Sequence, residues 1–385
     1  MHINDLLATA VARGASDLHM KVGSFPMLRI DGTLTPATET KRLEKADMDA
    51  VAASLLSPEQ RDKFQKQLEV DVAYAVPNLG RFRCNVFQQR GTIGLVMRVI
   101  PSRVPTVDEL QLPPVLKKIA DEERGLILVT GTTGSGKSTT LAAMLNHINN
   151  ARPTHIMTVE DPIEYLHRDN KSIINQREIR TDTGSFAMAL RSALRQDPDV
   201  ILVGEMRDLE TVETALLAAE TGHLVFSTLH TLDAPESINR IVAVFPPHQQ
   251  RQVRLQLASI LKAVVSQRLM PRSNGHGRVA AVEVMTATPF IRDCILDKDK
   301  THSILGAIAA GTSQYGMQTF DQSIFGHYKK GVISYEDALR YATNQDEFKL
   351  KVQGIATTSE MARDEMAKRP AVGGGGAPEI TRFGG

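Results

Sequence analysis

The chain has no tryptophan, two cysteines and only 5% aromatic residues among its 385. Cys84 and Cys294 can build neither a disulfide framework nor a four-cysteine zinc site, so two free thiols in a reducing compartment are expected. Forty-five basic against forty-four acidic residues leave a net charge of +1, which offers no electrostatic footprint for nucleic acid or an anionic bilayer. No run approaches the roughly 18 apolar residues of a membrane span. The opening, Met1-His2-Ile3-Asn4-Asp5-Leu6-Leu7, carries an acid and lacks a basic stretch leading into an apolar one, so no export signal is expected. A hydrophobic content of 42% is that of an ordinary globular protein, and the length exceeds one typical core.

Against this plain background one stretch stands out. Gly131-Thr132-Thr133-Gly134-Ser135-Gly136-Lys137-Ser138 reads G-x-x-x-x-G-K-[ST], a phosphate-binding loop. The apolar run Gly125–Thr130 before it has the length of a buried strand, and Thr139–Ile148 after it is apolar at helical spacing. Glycines let consecutive N–H groups turn toward one anion, and the helix N-terminus adds partial positive charge. A chance match in a chain this long has odds on the order of one per cent, so nucleotide binding is favoured over an accidental glycine turn. Thr132, Thr133, Gly134, Ser135, Gly136, Lys137, Ser138 and Thr139 are then the phosphate-binding residues. Lys137 reaches the β- and γ-phosphates, and the Ser138 hydroxyl is a ligand for Mg²⁺.

Residues 1–105 read as a separate α+β domain. Met27–Leu34 forms two strands about an Asp-Gly turn, 45–67 is helical, and Val70–Val76, Arg81–Arg90 and Thr92–Ile100 are strands. Prolines 101, 105, 113 and 114 mark a linker over 101–114. From 115 strands and helices alternate, which predicts a parallel sheet through residue 271. Its strands are 155–159, 200–205 and 223–230, with helices at 186–196 and 209–221, the second ended by Gly222. Residues 246–355 read as mainly helical, with Arg251–Leu269 a long amphipathic stretch, and the C-terminal region is placed at 272–369. From Pro370 to Gly385 a glycine-rich composition predicts a disordered tail.

In an open parallel sheet ligands bind beyond the carboxyl ends of the strands, and the polar residues gather there. Glu205 ends an apolar strand where a second acidic motif is expected, with Gly204 in the usual aspartate position, so Glu205 alone is assigned to the Mg²⁺ shell through water. Glu160, Asp161 and Glu164 follow another strand. Glu164 is favoured as general base; pairing of the cluster with Arg168, Arg177 or Arg180 is the competing reading. His223 and His230 lie seven apart, an odd separation that puts them on opposite faces of a strand and argues against a shared metal. His230 either senses the γ-phosphate, passes strain between subunits, or is a structural hydrogen bonder. Arg81, Arg83 and Arg98 alternate with apolar residues, which puts them on one solvent-facing side of a sheet.

Four blocks in fixed order resemble the type II/type IV secretion ATPases. Thr130–Thr140 is similar to their Walker A loop, Thr158–Glu164 to their Asp box, Arg195–Asp208 to their Walker B motif and Thr221–Thr231 to their His box. Gly14-Ala15-Ser16-Asp17-Leu18-His19 and Gly316–Asp321 resemble the pilus retraction branch, so the likeness covers about 1–355. That branch carries two arginines in a C-terminal segment matching Phe290–Asp297; here Arg292 matches the first, while Leu296 stands at the second. The resemblance implies an α/β protein with a PAS-like N-terminal domain, a RecA-like P-loop core and a helical C-terminal region. It implies a hexameric Mg²⁺-dependent ATPase driving pilus retraction from the cytoplasmic face of the inner membrane. Its partners would be an inner-membrane pilus platform protein and an accessory retraction ATPase, with no nucleic acid and no direct membrane contact. It also implies that two arginines fifteen residues apart, Arg83 and Arg98, clamp the phosphates. Lys137→Ala should abolish nucleotide binding, as measured by titration with a fluorescent ATP analogue; retained affinity would remove the loop from the nucleotide site.

Overall fold

A computed structural model describes residues 2–30, 32–101 and 103–355; the expected tail from Pro370 lies outside them. Thirteen strands are present among the described residues. They are β1 (Asp17–Lys21), β2 (Met27–Ile30), β3 (Thr33–Pro36), β4 (Glu69–Val76), β5 (Gly80–Gln89), β6 (Thr92–Ile100), β7 (Gly125–Thr130), β8 (His155–Glu160), β9 (Ile173–Glu178), β10 (Val200–Val203), β11 (Leu224–Leu229), β12 (Leu261–Pro271) and β13 (Arg278–Thr286). The chain divides into two compact units, Met1–Thr106 with Leu141–Pro198, and Val107–Thr140 with Asp199–Gly385.

In the first unit β1–β6 form an antiparallel sheet in the order β3-β2-β1-β6-β5-β4. The period-2 pattern explains its two faces. Leu18, Leu28, Val70, Val72, Phe82, Cys84, Val86, Leu95 and Met97 all point to one side and are buried with apolar residues of the helices Ile3–Ala12 and Lys45–Leu55. The other side carries Asp17, Arg29, Arg81, Arg83 and Arg98. The helix Pro58–Gln67 starts on a capping box, Ser57 with Gln60, which satisfies two otherwise orphaned amides. In the same unit β8 and β9 pair in parallel, and Val159 and Ile179 pack on Ala189 and Phe186 of the helix Phe186–Ala193.

In the second unit β7 lies between β11 and β12, with β10 beyond β11 and β13 beyond β12. Every residue of β7, β10 and β11 is buried, so these strands read as continuous apolar runs, as expected where both faces of a parallel sheet are covered. The helix Leu209–Glu220 is N-capped by Asp208 and ends at Thr221 before Gly222, whose φ of +113° needs glycine.

Arg251–Leu269 is not one amphipathic helix. The helix Gln250–Ile260 stops, and Leu261–Pro271 continues as β12, hairpinned antiparallel with β13. Seven of the eleven β12 residues are buried, Val264 and Val265 on opposite faces among them, so the strand lost the alternation that would have marked it. Helices follow β13 among the described residues, and Phe320, Ile324 and Phe348 pack against Met270, Val279 and Ala281 of this hairpin. Phe82 has no exposed surface at the centre of the first unit's core. Phe82→Ala should cost about 3–5 kcal/mol, read from the urea midpoint; a loss below about 1 kcal/mol would mean that this core is not sealed.

Candidate nucleotide-binding and hydrolysis site

The phosphate loop leaves β7 at a closely packed point. A Cβ on Gly131 would lie 2.5 Å from the Gln267 carbonyl oxygen and 2.6 Å from Ser135 Oγ, and its φ is +140°. Gly134, at φ +78°, has nothing within 4 Å of the same position and lies at the exposed crest of the loop. The loop runs directly into the helix Lys137–Ala151. Lys137 is only 8% exposed, and its Nζ donates to the carbonyl oxygens of Gly131 (2.8 Å) and Thr132 (3.0 Å). Burial lowers its pKa, while the negative charge of Glu205 works to raise it. Ser135 Oγ is buried with no hydrogen-bond partner among the described residues. A buried ammonium, an unpartnered hydroxyl and a crest of exposed backbone at a helix N-terminus together fit a polyphosphate. Thr132, Thr133 and Ser138 are exposed along that crest and Gly136 and Thr139 partly so.

Glu205 follows β10 by two residues, its strand end pinned by Ser227 Oγ to Val203 O (2.9 Å) and Thr228 Oγ1 to Gly204 O (2.7 Å). One carboxylate oxygen meets Arg207 Nε at 2.6 Å and the other lies 3.6 Å from His230 Nε2. His230 therefore shares the strand-end edge with Glu205. His223 does not: its Nδ1 is 2.9 Å from Ala218 O and 3.4 Å from Thr221 Oγ1, a helix-end contact. As oxygen donors of hard character, Ser138 and Glu205 suit Mg²⁺, which usually takes one or two protein oxygens and completes its shell with phosphates and water.

In the first unit Arg83 and Arg98 face each other directly across β5 and β6. Cross-strand partners share a face, so Arg81, Arg83 and Arg98 lie on one side of the sheet. They are not three equivalent solvated cations. Arg98 Nε donates to Asp17 Oδ1 at 3.0 Å, and Arg29 Nε approaches the other oxygen at 3.8 Å. Arg81 binds Glu178 at 3.0 Å. Asp17 is buried at the centre of the row Arg29–Asp17–Arg98–Arg83. Its place in the Gly14–His19 stretch, which resembles the retraction branch, was the one signal that could have singled it out.

Also in this unit, Glu164 sits on a short loop after β8. Its backbone N–H points to Glu160 Oε2 (3.4 Å), and the preceding amide, Ile163, donates to Glu178 Oε2 (3.1 Å). Glu160 further accepts from Thr158 Oγ1 (2.7 Å) and Gln176 Nε2 (3.2 Å), yet burial pushes its pKa up. Of the arginines weighed as partners of the acidic cluster, Arg180 lies 3.6 Å from Asp161, whereas Arg177 donates to the Asp182 carbonyl oxygen.

Glu283 escaped sequence reasoning, since a single acid within an apolar strand has no motif. It is buried on β13 and accepts the Ala234 N–H (3.0 Å) at the start of the helix Ala234–Ala243, four residues past His230.

A glycine loop joining a buried strand to a helix, with Lys137 within it and Glu205 at the end of a strand of the same sheet, defines a P-loop nucleotidase of the RecA-like α/β class. The chain belongs to the Type II/IV secretion system protein family, whose profile matches residues 1–340. It is 49% identical over 348 residues to the type IV pilus retractation ATPase PilT of Pseudomonas aeruginosa, covering 90% of this chain and 100% of that one. It is 47% identical over 326 residues to the twitching motility protein of Neisseria gonorrhoeae, with 83% and 85% covered. Among solved structures, the pilus retraction motor PilT with bound ADP matches with a TM-score of 0.84 at 46% identity, over 90% of this chain and 98% of that one.

Burial raises the Glu283 pKa from 4.5 to about 7. The folded state then holds a proton that the unfolded state releases, so this group's contribution to stability is complete below about pH 4.5 and is lost as pH rises toward 7. Denaturation midpoints should fall across that interval, and Glu283→Gln should flatten the slope; an unchanged slope would refute the buried protonated carboxyl.

Proposed function

We propose that this chain is the ATP-hydrolysing motor that drives retraction of a type IV pilus. The observation that carries this reading is the full-length match to a retraction ATPase, end to end on that protein at 49% identity. The site supports it: the loop and Lys137 hold the triphosphate, and Glu205 with His230 stands at the edge where the γ-phosphate would lie. Mg²⁺, when bound, would spread charge over the phosphates, held by Ser138 and, through water, by Glu205. Glu164 would orient and deprotonate the attacking water. Arg83 and Arg98, side by side on one sheet face, would bind phosphate oxygens, with Arg98 leaving Asp17 to do so. Movement of the arginine-bearing sheet with nucleotide state is then the power stroke.

The same reading extends to the assembly. We take 1–105 as a PAS-like domain joined by the 101–114 linker to a RecA-like core at 115–271, with a helical region to 369 and a tail from 370. Six copies would form a ring at the cytoplasmic face of the inner membrane, acting on a pilus platform protein. No helix among the described residues is long and apolar enough to cross a membrane, so the chain would reach the bilayer through that partner. One observation favours a second reading, an accessory retraction ATPase. In the helix Pro289–Leu296 an exposed Leu296 occupies the place of the second arginine of the retraction branch. A deletion strain separates these from an assembly role: pili accumulate if the protein retracts them and vanish if it builds them.

Glu164→Ala and Glu205→Ala should bind ATP as the parent does yet release phosphate at least ~100-fold more slowly, the scale of a lost catalytic group. Wild-type turnover in Glu164→Ala would end its role as base. Absence of phosphate release by the assembled parent protein would leave a nucleotide-gated scaffold in place of a motor.

A further inference from the structure

Glu178 does two things at once, and together they connect groups that the sequence keeps far apart. It ends β9 beside Glu160, which ends β8, so two strand-end carboxylates stand next to each other. The loop that joins these two strands is suspended from this pair. Glu178 Oε2 accepts the Ile163 N–H at 3.1 Å and Glu160 Oε2 receives the Glu164 N–H at 3.4 Å. The same Glu178 oxygen accepts Arg81 Nη2 at 3.0 Å, and Thr181 Oγ1 donates to its other oxygen at 3.3 Å. Arg81 lies on β5, two residues before Arg83 and on the same face. The Glu178 and Arg81 side chains are only 10% and 21% exposed, so their attraction is little screened by solvent.

We propose that the Arg81–Glu178 ion pair is a positioning latch that fixes the loop bearing Glu164 to the strand bearing Arg83. Neither member touches substrate. The latch sets where the Glu164 carboxylate is aimed relative to the arginine strand, and Glu178 transmits that placement through the Ile163 amide. Removing Arg81 would leave a nearly buried carboxylate without its cation, and that carboxylate would draw in water or move. Either response shifts the Ile163–Glu164 peptide. A displacement of about 1 Å at a catalytic group can cost on the order of 100-fold in rate. This inference rests on the reading of Glu164 as the general base.

The test uses the full-length assembled protein, with ATP turnover, KM for ATP, thermal midpoint and amide exchange at Ile163 measured together. Arg81→Ala and Glu178→Gln, which keeps an acceptor for the Ile163 amide, should each lower kcat roughly 10- to 100-fold with little change in KM. Arg81→Lys should recover most of the rate, and the double variant should be no slower than the worse single one, because both remove the same interaction. Exchange at Ile163 should quicken in Arg81→Ala. Unchanged kcat in Glu178→Gln, or losses that multiply in the double variant, would overturn the latch. A lowered thermal midpoint with wild-type kcat would reduce the pair to a structural one and overturn it equally. Should Arg81→Ala fail to fold, Arg81→Lys and Glu178→Gln carry the same comparison. The two readings fail separately: wild-type turnover in Glu164→Ala removes the base while Ile163 exchange still reports the latch, whereas a slow Glu164→Ala beside a fast Glu178→Gln removes the latch alone.

Discussion

At the end of β7 the chain must turn within one residue, in a space already filled by the Gln267 carbonyl and the Ser135 side chain. Only a residue without Cβ, at positive φ, makes that turn. Everything at the phosphate end of the second unit follows from it. The loop rises clear of the strand, its crest is exposed backbone, and Lys137 is folded back to the base of the loop at Gly131 and Thr132. On one side of β7 every residue of β11 is buried, and on the other the run Ala263–Gln267 of β12 is buried, so the strands leave little room for a different path. Packing of an apolar sheet thus dictates the shape of a polar cradle.

The acids around this fold show how position sets chemistry. Glu205 stands partly exposed just past a strand end, 2.6 Å from Arg207 Nε and 3.6 Å from His230 Nε2. Glu160 and Glu283 lie in dry surroundings that favour the neutral form, although each accepts hydrogen bonds from the backbone. The same residue type therefore meets a cation beyond one strand end and serves as a hydrogen-bonding post at the end of β8 and in the middle of β13. Asp17 has a further role as resting partner for Arg98, a cation whose proposed work is elsewhere. The Asp17 carboxylate thereby offsets repulsion between cations across a sheet where Arg83 and Arg98 are directly opposed.

Much of this was legible in one dimension. The glycine loop, its strand and its helix form contiguous sequence, so local steric rules and apolar periodicity were enough to place Lys137 and Ser138. Arg81, Arg83 and Arg98 could be put on one face because strand geometry alternates with period two. The hairpin of β12 and β13 could not be read, since burial on both faces at its centre erases alternation and leaves a run that suits helix and strand alike. The strand β9 was equally hidden: Ile173 and Ile174 are followed by four polar residues, and it is held by pairing to β8 more than by its own pattern.

What the sequence determined alone was the kind of chemistry: a phosphate cradle, acids at strand ends and a row of arginines on one sheet face, each encoded by residues close together or in strict alternation. What only the tertiary structure decided was partnership. Arg98 with Asp17 and Arg81 with Glu178 join positions 81 and 97 residues apart. Glu283 rests under a helix that begins 49 residues earlier. Ion pairs and buried hydrogen bonds depend on distance in space and on the local dielectric, and neither quantity exists until the strands have been brought into register.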